Sequence, residues 1–293
     1  MDNFFVKAHG LGNEYIVFDQ KDIHFELSKP AIQRLCNINF GIGSDGILLK
    51  VPSTKADFGF RVFNPDGSEA EKSGNGLRIF CKFIYDYGYT PNKNFTVETK
   101  GGIVKATIEK TDDHNKAQQI TVDMGIPTFK TKEIPAIFPS EEIIAEKMGF
   151  GGKEYEINCV SMGNPHCTIL RDTLNINEIK SVGSIIENHT MFPNRINVQF
   201  AKIINRNEVE VLIWERGAGF TLASGSSSCA VASVLYKRGL IDNKVTIKML
   251  GGELTIAIQN DWNIRMTGPV RQICQGTLSQ ELIEDLNNSI SNK

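Results

Sequence analysis

Short apolar runs of strand character alternate along the chain with stretches of helical spacing. Residues 58–63 and 208–214 alternate or run apolar as strands do, and each leads into a turn rich in Gly, Asp or Ser. A helical stretch follows each turn. Leu77, Phe80, Cys81 and Ile84 fall at i, i+3, i+4 and i+7, and Cys229, Ala232, Ser233 and Tyr236 repeat that spacing. Further strands are predicted over residues 95–99, 103–108, 245–249 and 254–258. Lesser helices are predicted over residues 29–36, 141–148, 176–187 and 280–288. The polar stretch 111–119 reads as an exposed loop and a candidate passage between halves.

The two series of elements are copies of one plan. Gly12-Asn13 recurs as Gly163-Asn164, Ser73-Gly74 as Ser224-Gly225, and Phe60-Arg61-Val62-Phe63 as Val211-Leu212-Ile213-Trp214, each at an offset of 151 residues. Lys100-Gly101-Gly102 is echoed by Leu250-Gly251-Gly252 at an offset of 150. Landmarks in one order at one offset point to a duplication, with a period far too long for a solenoid. The expected fold class is α+β: two pseudo-symmetric lobes, each a mixed or antiparallel sheet around a central helix. The first lobe is expected over residues 1–118, with 269–293 returning to it, and the second over 119–268.

Composition narrows the class without supplying a function. The 293 residues carry 32 Lys+Arg against 34 Asp+Glu, a formal charge of −2, which gives no electrostatic footprint for nucleic acid. With 41% hydrophobic and 23% charged residues, the chain is of ordinary globular type. No apolar run approaches the ~18 residues of a membrane span. The first residues reach Lys7 before any signal-like apolar stretch forms. The six cysteines, Cys36, Cys81, Cys159, Cys167, Cys229 and Cys274, form no CxxC pair and fit reduced thiols in the cytoplasm. A metal site has little support, because the five His are isolated from cysteine pairs.

Gly41-Ile42-Gly43-Ser44-Asp45-Gly46 matches GxGxxG, with Asp66 twenty residues on. A dinucleotide fingerprint must follow a strand and open a helix. Here a helical segment precedes and the strand-like Ile47 to Pro52 follows, so nucleotide binding is not expected.

The turns before the two central helices are the better candidates. Residues 64–76 and 215–227 each place a hydroxyl residue and glycines just ahead of a helix. Free backbone N–H groups at a helix start bind anions, and the macrodipole favours negative charge there. Ser as N-cap and Gly as turn residue also account for either segment alone. Their equivalence under the repeat favours function. Two such starts could grip a carboxylate, with a base on one face of a stereocentre and an acid on the other. Binding without chemistry fits the same symmetry.

At these residues the sequence resembles the diaminopimelate epimerases, cofactor-independent isomerases of lysine and cell-wall precursor synthesis. The stretches that carry the resemblance are His9-Gly10-Leu11-Gly12-Asn13, Gly41-Ile42-Gly43-Ser44-Asp45-Gly46, Phe63-Asn64-Pro65-Asp66-Gly67-Ser68-Glu69 and Gly74-Asn75-Gly76-Leu77-Arg78 in the first half. In the second they are Met162-Gly163-Asn164-Pro165-His166, Asn197-Val198, Trp214-Glu215-Arg216-Gly217 and Met266-Thr267-Gly268-Pro269. The resemblance implies that Gly74, Asn75, Gly225 and Ser226 offer backbone amides to the reacting α-carboxylate. It implies that Asn13, Asn64, Asn164, Asn197, Glu215 and Arg216 line the rest of the pocket. Arg216 suits a carboxylate through its planar fork. Turn chemistry is the alternative for each Asn. Gly46 stands where some members carry glutamine. The resemblance further implies no cofactor or metal, a small amino-acid substrate, no nucleic-acid or membrane partner, and a homodimer.

The departure lies at the chemistry. The family uses two cysteines as thiolate base and thiol acid, and here those positions, the catalytic candidates, are Ser73 and Ser224. A thiol ionises near ~8.5 and an alkanol near ~15.7, a gap of roughly 7 units or on the order of 10 kcal/mol. A helix N-terminus returns only about 0.3–2 kcal/mol. Slow or absent two-base epimerisation is therefore expected unless a neighbouring base helps, and His166 is the candidate. Three explanations stand: engineered serines, a natural branch with altered chemistry (including a racemase or epimerase of another amino acid), and an amino-acid-binding paralogue without turnover. The second site reads Ser-Gly-Ser-Ser-Ser-Cys where the family usually has Cys-Gly-Thr-Gly-Ala-Cys, and the extra serines favour a natural variant.

Overall fold

The computed structural model of the chain describes residues 2–71 and 73–291. Met1, Lys72 of the first turn segment, and Asn292 and Lys293 of the expected C-terminal return lie outside the described residues. The chain divides into two compact units, Met1–Val122 with Gly268–Lys293, and Asp123–Thr267.

The first unit runs β1 (Phe4–Gly10), β2 (Asn13–Asp19), α1 (Lys29–Cys36), β3 (Ile47–Val51), β4 (Phe58–Phe63), β5 (Glu69–Ala70), α2 (Gly74–Asp86), β6 (Asn94–Thr99), β7 (Gly102–Thr111) and β8 (Ala117–Gly125). A hairpin joins β1 to β2, and α1 then carries the chain over so that β3 lies parallel to β2. Strands β3 and β4 are antiparallel, β5 folds back on β4, and after α2 the strand β6 runs parallel to β4. β6, β7 and β8 continue antiparallel. Helix α1 starts where the Ser28 hydroxyl accepts from Ala31 N and a proline occupies the first turn, and it buries Ala31, Ile32, Leu35 and Cys36 on one face. Helix α2 differs. It is buried continuously from Asn75 to Tyr85 and packs against β1, β2, β3 and β7, as a helix apolar on most sides must.

The second unit runs β9 (Glu146–Phe150), β10 (Lys153–Ser161), β11 (Pro165–Leu170), α3 (Ile176–Glu187), β12 (Asn197–Asn205), β13 (Glu208–Glu215), β14 (Gly219–Thr221), α4 (Gly225–Lys237), β15 (Lys244–Met249), β16 (Gly252–Ile258) and β17 (Ile264–Pro269). From β10 onward every pairing repeats that of the first unit, including the parallel β11–β12 and β13–β15 pairs. The duplication reaches the register. Ile16 faces Ile47 and Cys167 faces Val198; Ile47 faces Phe63 and Val198 faces Trp214. Each residue of the second pair stands 151 positions after its counterpart. Helix α4 is buried from Ser227 to Leu235 against β10, β11, β12, β15 and β16. Back in the first unit, β18 (Arg271–Thr277) pairs antiparallel with β1, as β9 does with β10. Helix α5 (Gln280–Ser291) then packs on α1, where Leu286 joins Ala31, Ile32 and Leu35 in one cluster. The fold is mixed α+β, mostly sheet with five helices among the described residues.

The helix expected over residues 141–148 is absent. Ala145 takes a left-handed φ of 57°, which a helix cannot contain, and β9 begins at Glu146. Gly151 and Gly152, at φ 56° and 79°, turn β9 into a hairpin with β10, so strand pairing overrides the weak helical spacing. The polar stretch at 111–119 shrinks to a turn over residues 112–116 between β7 and β8, and the passage between units falls later, at Val122 and Asp123 inside β8.

Candidate active site

Both central helices begin on a serine. Ser73 has extended backbone angles, φ −134° and ψ 119°, and its Oγ accepts from Gly76 N at 3.0 Å. Ser224 does the same with φ −147° and ψ 126°, its Oγ accepting from Ser227 N at 3.5 Å. An α-helix leaves its first amides without intrahelical partners. With the third amide capped by serine, those of Gly74 and Asn75, and of Gly225 and Ser226, make no bond among the described residues. Each unit thus presents one hydroxyl beside two unoccupied N–H donors at the positive end of a helix dipole.

Glycine makes the first of these starts possible. A Cβ on Gly76 would stand 3.0 Å from Leu48 Cδ2 and 3.1 Å from Ser73 Oγ, and one on Gly10 would stand 3.2 Å from Arg78 Nη2. Arg78 is fully buried and donates to Asn75 Oδ1 at 2.8 Å and Gly74 O at 3.3 Å. That charge turns the Asn75 carboxamide so that its Nδ2 donates to Asn13 Oδ1 at 3.2 Å, while Asn13 Nδ2 donates to Asp45 at 2.9 Å. Asn13 is therefore tied to the helix start. Asn64 is exposed, and its Nδ2 donates to Ser68 Oγ at 2.9 Å within its own turn. The structure gives Asn64 turn chemistry.

A different network stands at the second start. His166 is fully buried and in contact at both ring nitrogens, with Asn164 Oδ1 2.9 Å from Nε2 and Gln199 Nε2 3.0 Å from Nδ1. An amide nitrogen only donates, so the network assigns the acceptor role to Nδ1 and the proton to Nε2. Gln199 Nε2 also donates to Ser227 Oγ at 3.1 Å. Burial first, and then the charge of Arg216, lower the imidazole pKa to about 3. This overturns the expected role of His166 as a base for serine. A pKa this low makes it a weak base, both nitrogens are occupied, and among the described residues neither bonds either serine. Its effect is to fix the Asn164 carboxamide, whose Nδ2 remains without a bond among the described residues.

Asn197, also buried, donates to Pro165 O at 2.8 Å and accepts from Arg216 N at 3.0 Å. It holds the backbone of the turn that carries Arg216. The guanidinium of Arg216 is exposed and donates to Asn194 O at 3.0 Å. Glu215 is half-buried beside it. The sequence reading missed Glu187. This buried carboxylate at the end of α3 accepts from Gly217 N at 2.8 Å, Trp214 Nε1 at 2.7 Å and Arg195 Nη1 at 3.1 Å, and so pins the 215–217 turn. Nothing in local sequence marks it, since its partners lie between 8 and 30 residues away.

The GxGxxG segment serves structure. Gly41 N bonds Asn37 O, and Ile42 N and Gly43 N both bond Leu35 O, so the loop closes over the end of α1. A Cβ on Gly41 would sit 2.0 Å from Arg34 O. Cys81 and Cys229 are fully buried within α2 and α4, and burial pushes the Cys81 thiol up. Among the described residues no group of three or more His, Cys, Asp or Glu could hold a metal ion, and no helix is long and apolar enough to cross a membrane.

Comparison with known proteins places the chain in a family. The family model of diaminopimelate epimerase matches residues 5–130 and 158–273. The chain is 47% identical to diaminopimelate epimerase 2 of Nostoc sp. over 95% of this chain and 96% of that one. It is 40% identical to the diaminopimelate epimerase of Geobacillus sp., over 93% and 97%. Among solved structures, a hydroxyproline epimerase of Agrobacterium vitis superposes with a TM-score of 0.68 at 15% identity, covering 94% of this chain and 90% of that one. A probable proline racemase of Agrobacterium radiobacter gives 0.69 at 14%, covering 97% and 95%. These two share the fold. The family match and the close relatives show that the chain belongs to the diaminopimelate epimerase family.

Proposed function

We propose that this chain inverts the α-carbon of diaminopimelate between the LL and meso forms, without pyridoxal phosphate, metal or nucleotide, and with Ser73 and Ser224 as its proton-bearing groups. The observation that carries this reading is the pair of equivalent helix starts, each with one serine hydroxyl beside two unoccupied amides. Amides of Gly74 and Asn75, and of Gly225 and Ser226, are the donors for the reacting carboxylate. Removing an α-proton puts charge into that carboxylate, and unpaired N–H donors at a helix start stabilise it without reorganisation as the charge grows. Asn13, Asn164, Glu215 and Arg216 serve the polar ends of the substrate, and Asn197 sets the backbone from which Arg216 reaches. Asn64 acts through the turn it closes. The names of the relatives supply the substrate. The reading carries a cytoplasmic location, supported by cysteines that form no disulfide, and a homodimer, supported by family resemblance alone.

The serines favour a second reading, a paralogue that binds diaminopimelate and leaves it unchanged. Both readings require binding, so calorimetric titration is the first test. Saturable heat with diaminopimelate, weakened at least tenfold by Arg216→Ala, is expected. Binding of a different amino acid with no heat from diaminopimelate would overturn the substrate assignment. Turnover then separates the two readings.

A further inference from the structure

The Oη of Tyr15 lies 3.2 Å from Ser73 Oγ, a hydrogen bond in which either oxygen can donate. The phenol is buried, 8% exposed, on β2. The seat of its ring depends on Gly46: a Cβ there would stand 2.8 Å from Tyr15 Cε1 and 2.4 Å from Phe63 O. On this backbone no side chain at position 46 can coexist with the ring in that place, and the ring is what brings a phenol to Ser73. The departure at Gly46 and the serine at 73 thus belong to one local arrangement. Among the described residues Ser224 has no such neighbour, and its hydroxyl accepts from Ser227 N.

We propose that Tyr15 is a positioning residue for the proton of Ser73, the two hydroxyls acting as a relay in the epimerisation proposed above. A phenol ionises near ~10 and an alkanol near ~15.7, so the pair reaches its anionic form far more readily with the charge on Tyr15 than on serine. In the base direction the pair holds tyrosinate and neutral Ser73. The substrate Cα–H bond breaks and leaves its electron pair on the α-carbon. That proton forms a new bond to Ser73 Oγ. The original Oγ–H bond breaks in the same step, and its proton passes to Tyr15 Oη. Ser73 ends neutral and Tyr15 ends as phenol. In the acid direction each transfer reverses, so Ser73 itself never carries the full alkoxide; the proton for the opposite face comes from Ser224, whose Oγ–H bond breaks as the new Cα–H bond forms. The relay rests on the proposed reaction.

The test is Tyr15→Phe, which keeps the ring beside Gly46 and removes only the oxygen. α-Proton exchange of diaminopimelate in heavy water and calorimetric binding are measured together. A fall in kcat of at least thirtyfold is expected, with KM and binding within about twofold. The rise of kcat on the basic limb of the pH profile is expected to disappear. Replacing Tyr15 by a ring-fluorinated, more acidic tyrosine should instead move that limb to lower pH. In a double-variant cycle, Tyr15→Phe should add no loss on top of Ser73→Ala. Undiminished exchange by Tyr15→Phe, with its pH profile intact, would overturn the relay and leave the epimerase reading standing. An unsubstituted chain that binds diaminopimelate but exchanges nothing would overturn the relay and support the binding paralogue. A chain that neither binds nor exchanges would overturn both.

Discussion

Ser73 and Ser224 cap two helices of 13 residues each, in the same backbone conformation and at the same register of a duplicated fold. Their surroundings differ, most plainly at one strand position. Tyr15 and His166 are equivalent under the offset of 151, two residues after Asn13 and Asn164. Tyr15 points a titratable hydroxyl at Ser73, whereas His166 is neutral and locked between Asn164 and Gln199. In one unit the position holds a phenol in hydrogen bond with the serine. In the other it orders a carboxamide beside the helix start and leaves the serine to its cap. Duplication supplies two equivalent helix starts, and divergence at a buried neighbour gives each serine hydroxyl different surroundings.

The largest way to break this comparison is to remove the hydroxyls. Ser73→Ala and Ser224→Ala are each expected to lower α-proton exchange by about 10²–10⁴-fold, the usual scale for a positioned acid or base. Lost capping should destabilise each by only about 0.5–2 kcal/mol, read by urea denaturation. A Ser224→Ala enzyme of full activity would confine the chemistry to the first unit.

Acid titration addresses the second unit. The unfolded chain protonates an imidazole near ~6.5, and folded His166 does so only at about 3. The stabilisation is present above ~6.5 and is lost as pH falls towards about 3, by up to ~1.4 kcal/mol per pH unit for the one proton. His166→Gln should flatten that slope. An unchanged slope would mean the buried imidazole already carries its proton.

Gly46→Ala sharpens the contrast with Asn197, its counterpart under the offset. The added methyl meets Phe63 O and the Tyr15 ring, and overpacking of this kind costs about 1–3 kcal/mol. Exchange should fall as Tyr15 is pushed off Ser73, while Asn197→Ala should act mainly on binding through the Arg216 turn. Equal effects on kcat and KM from both variants would erase the distinction.

The smallest expected effect is on the thiols. Cys36, Cys81, Cys159, Cys167 and Cys229 are buried and Cys274 is exposed. Native protein should yield one fast-reacting thiol, and its alkylation should leave exchange unchanged. Inactivation by alkylation would place a thiol in the reaction.

Much of this architecture was legible in sequence because duplication repeats its own signals. The stretches 58–63, 29–36 and 176–187 read directly as strand or helix, since alternation or an apolar stripe marks each. The segment 141–148 failed because its apolar residues fit a helix weakly, and the hairpin formed by Gly151 and Gly152 decides its fate. The helix starts were visible as Ser-Gly before apolar spacing. Tyr15 and Glu187 were not, since a buried tyrosine in a strand and a glutamate ending a helix look ordinary until β2 is laid beside α2, and α3 beside the 215–217 turn. His166 was visible, but its role was not, because burial and two partners decide it.

The most direct measurement is α-proton exchange of diaminopimelate in heavy water by the unsubstituted chain and by Ser73→Cys/Ser224→Cys. Slow exchange above the protein-free rate by the unsubstituted chain, and faster exchange by the double variant, is the predicted result. No exchange by the unsubstituted chain beside clear exchange by the double variant would contradict the claim that these serines carry the proton.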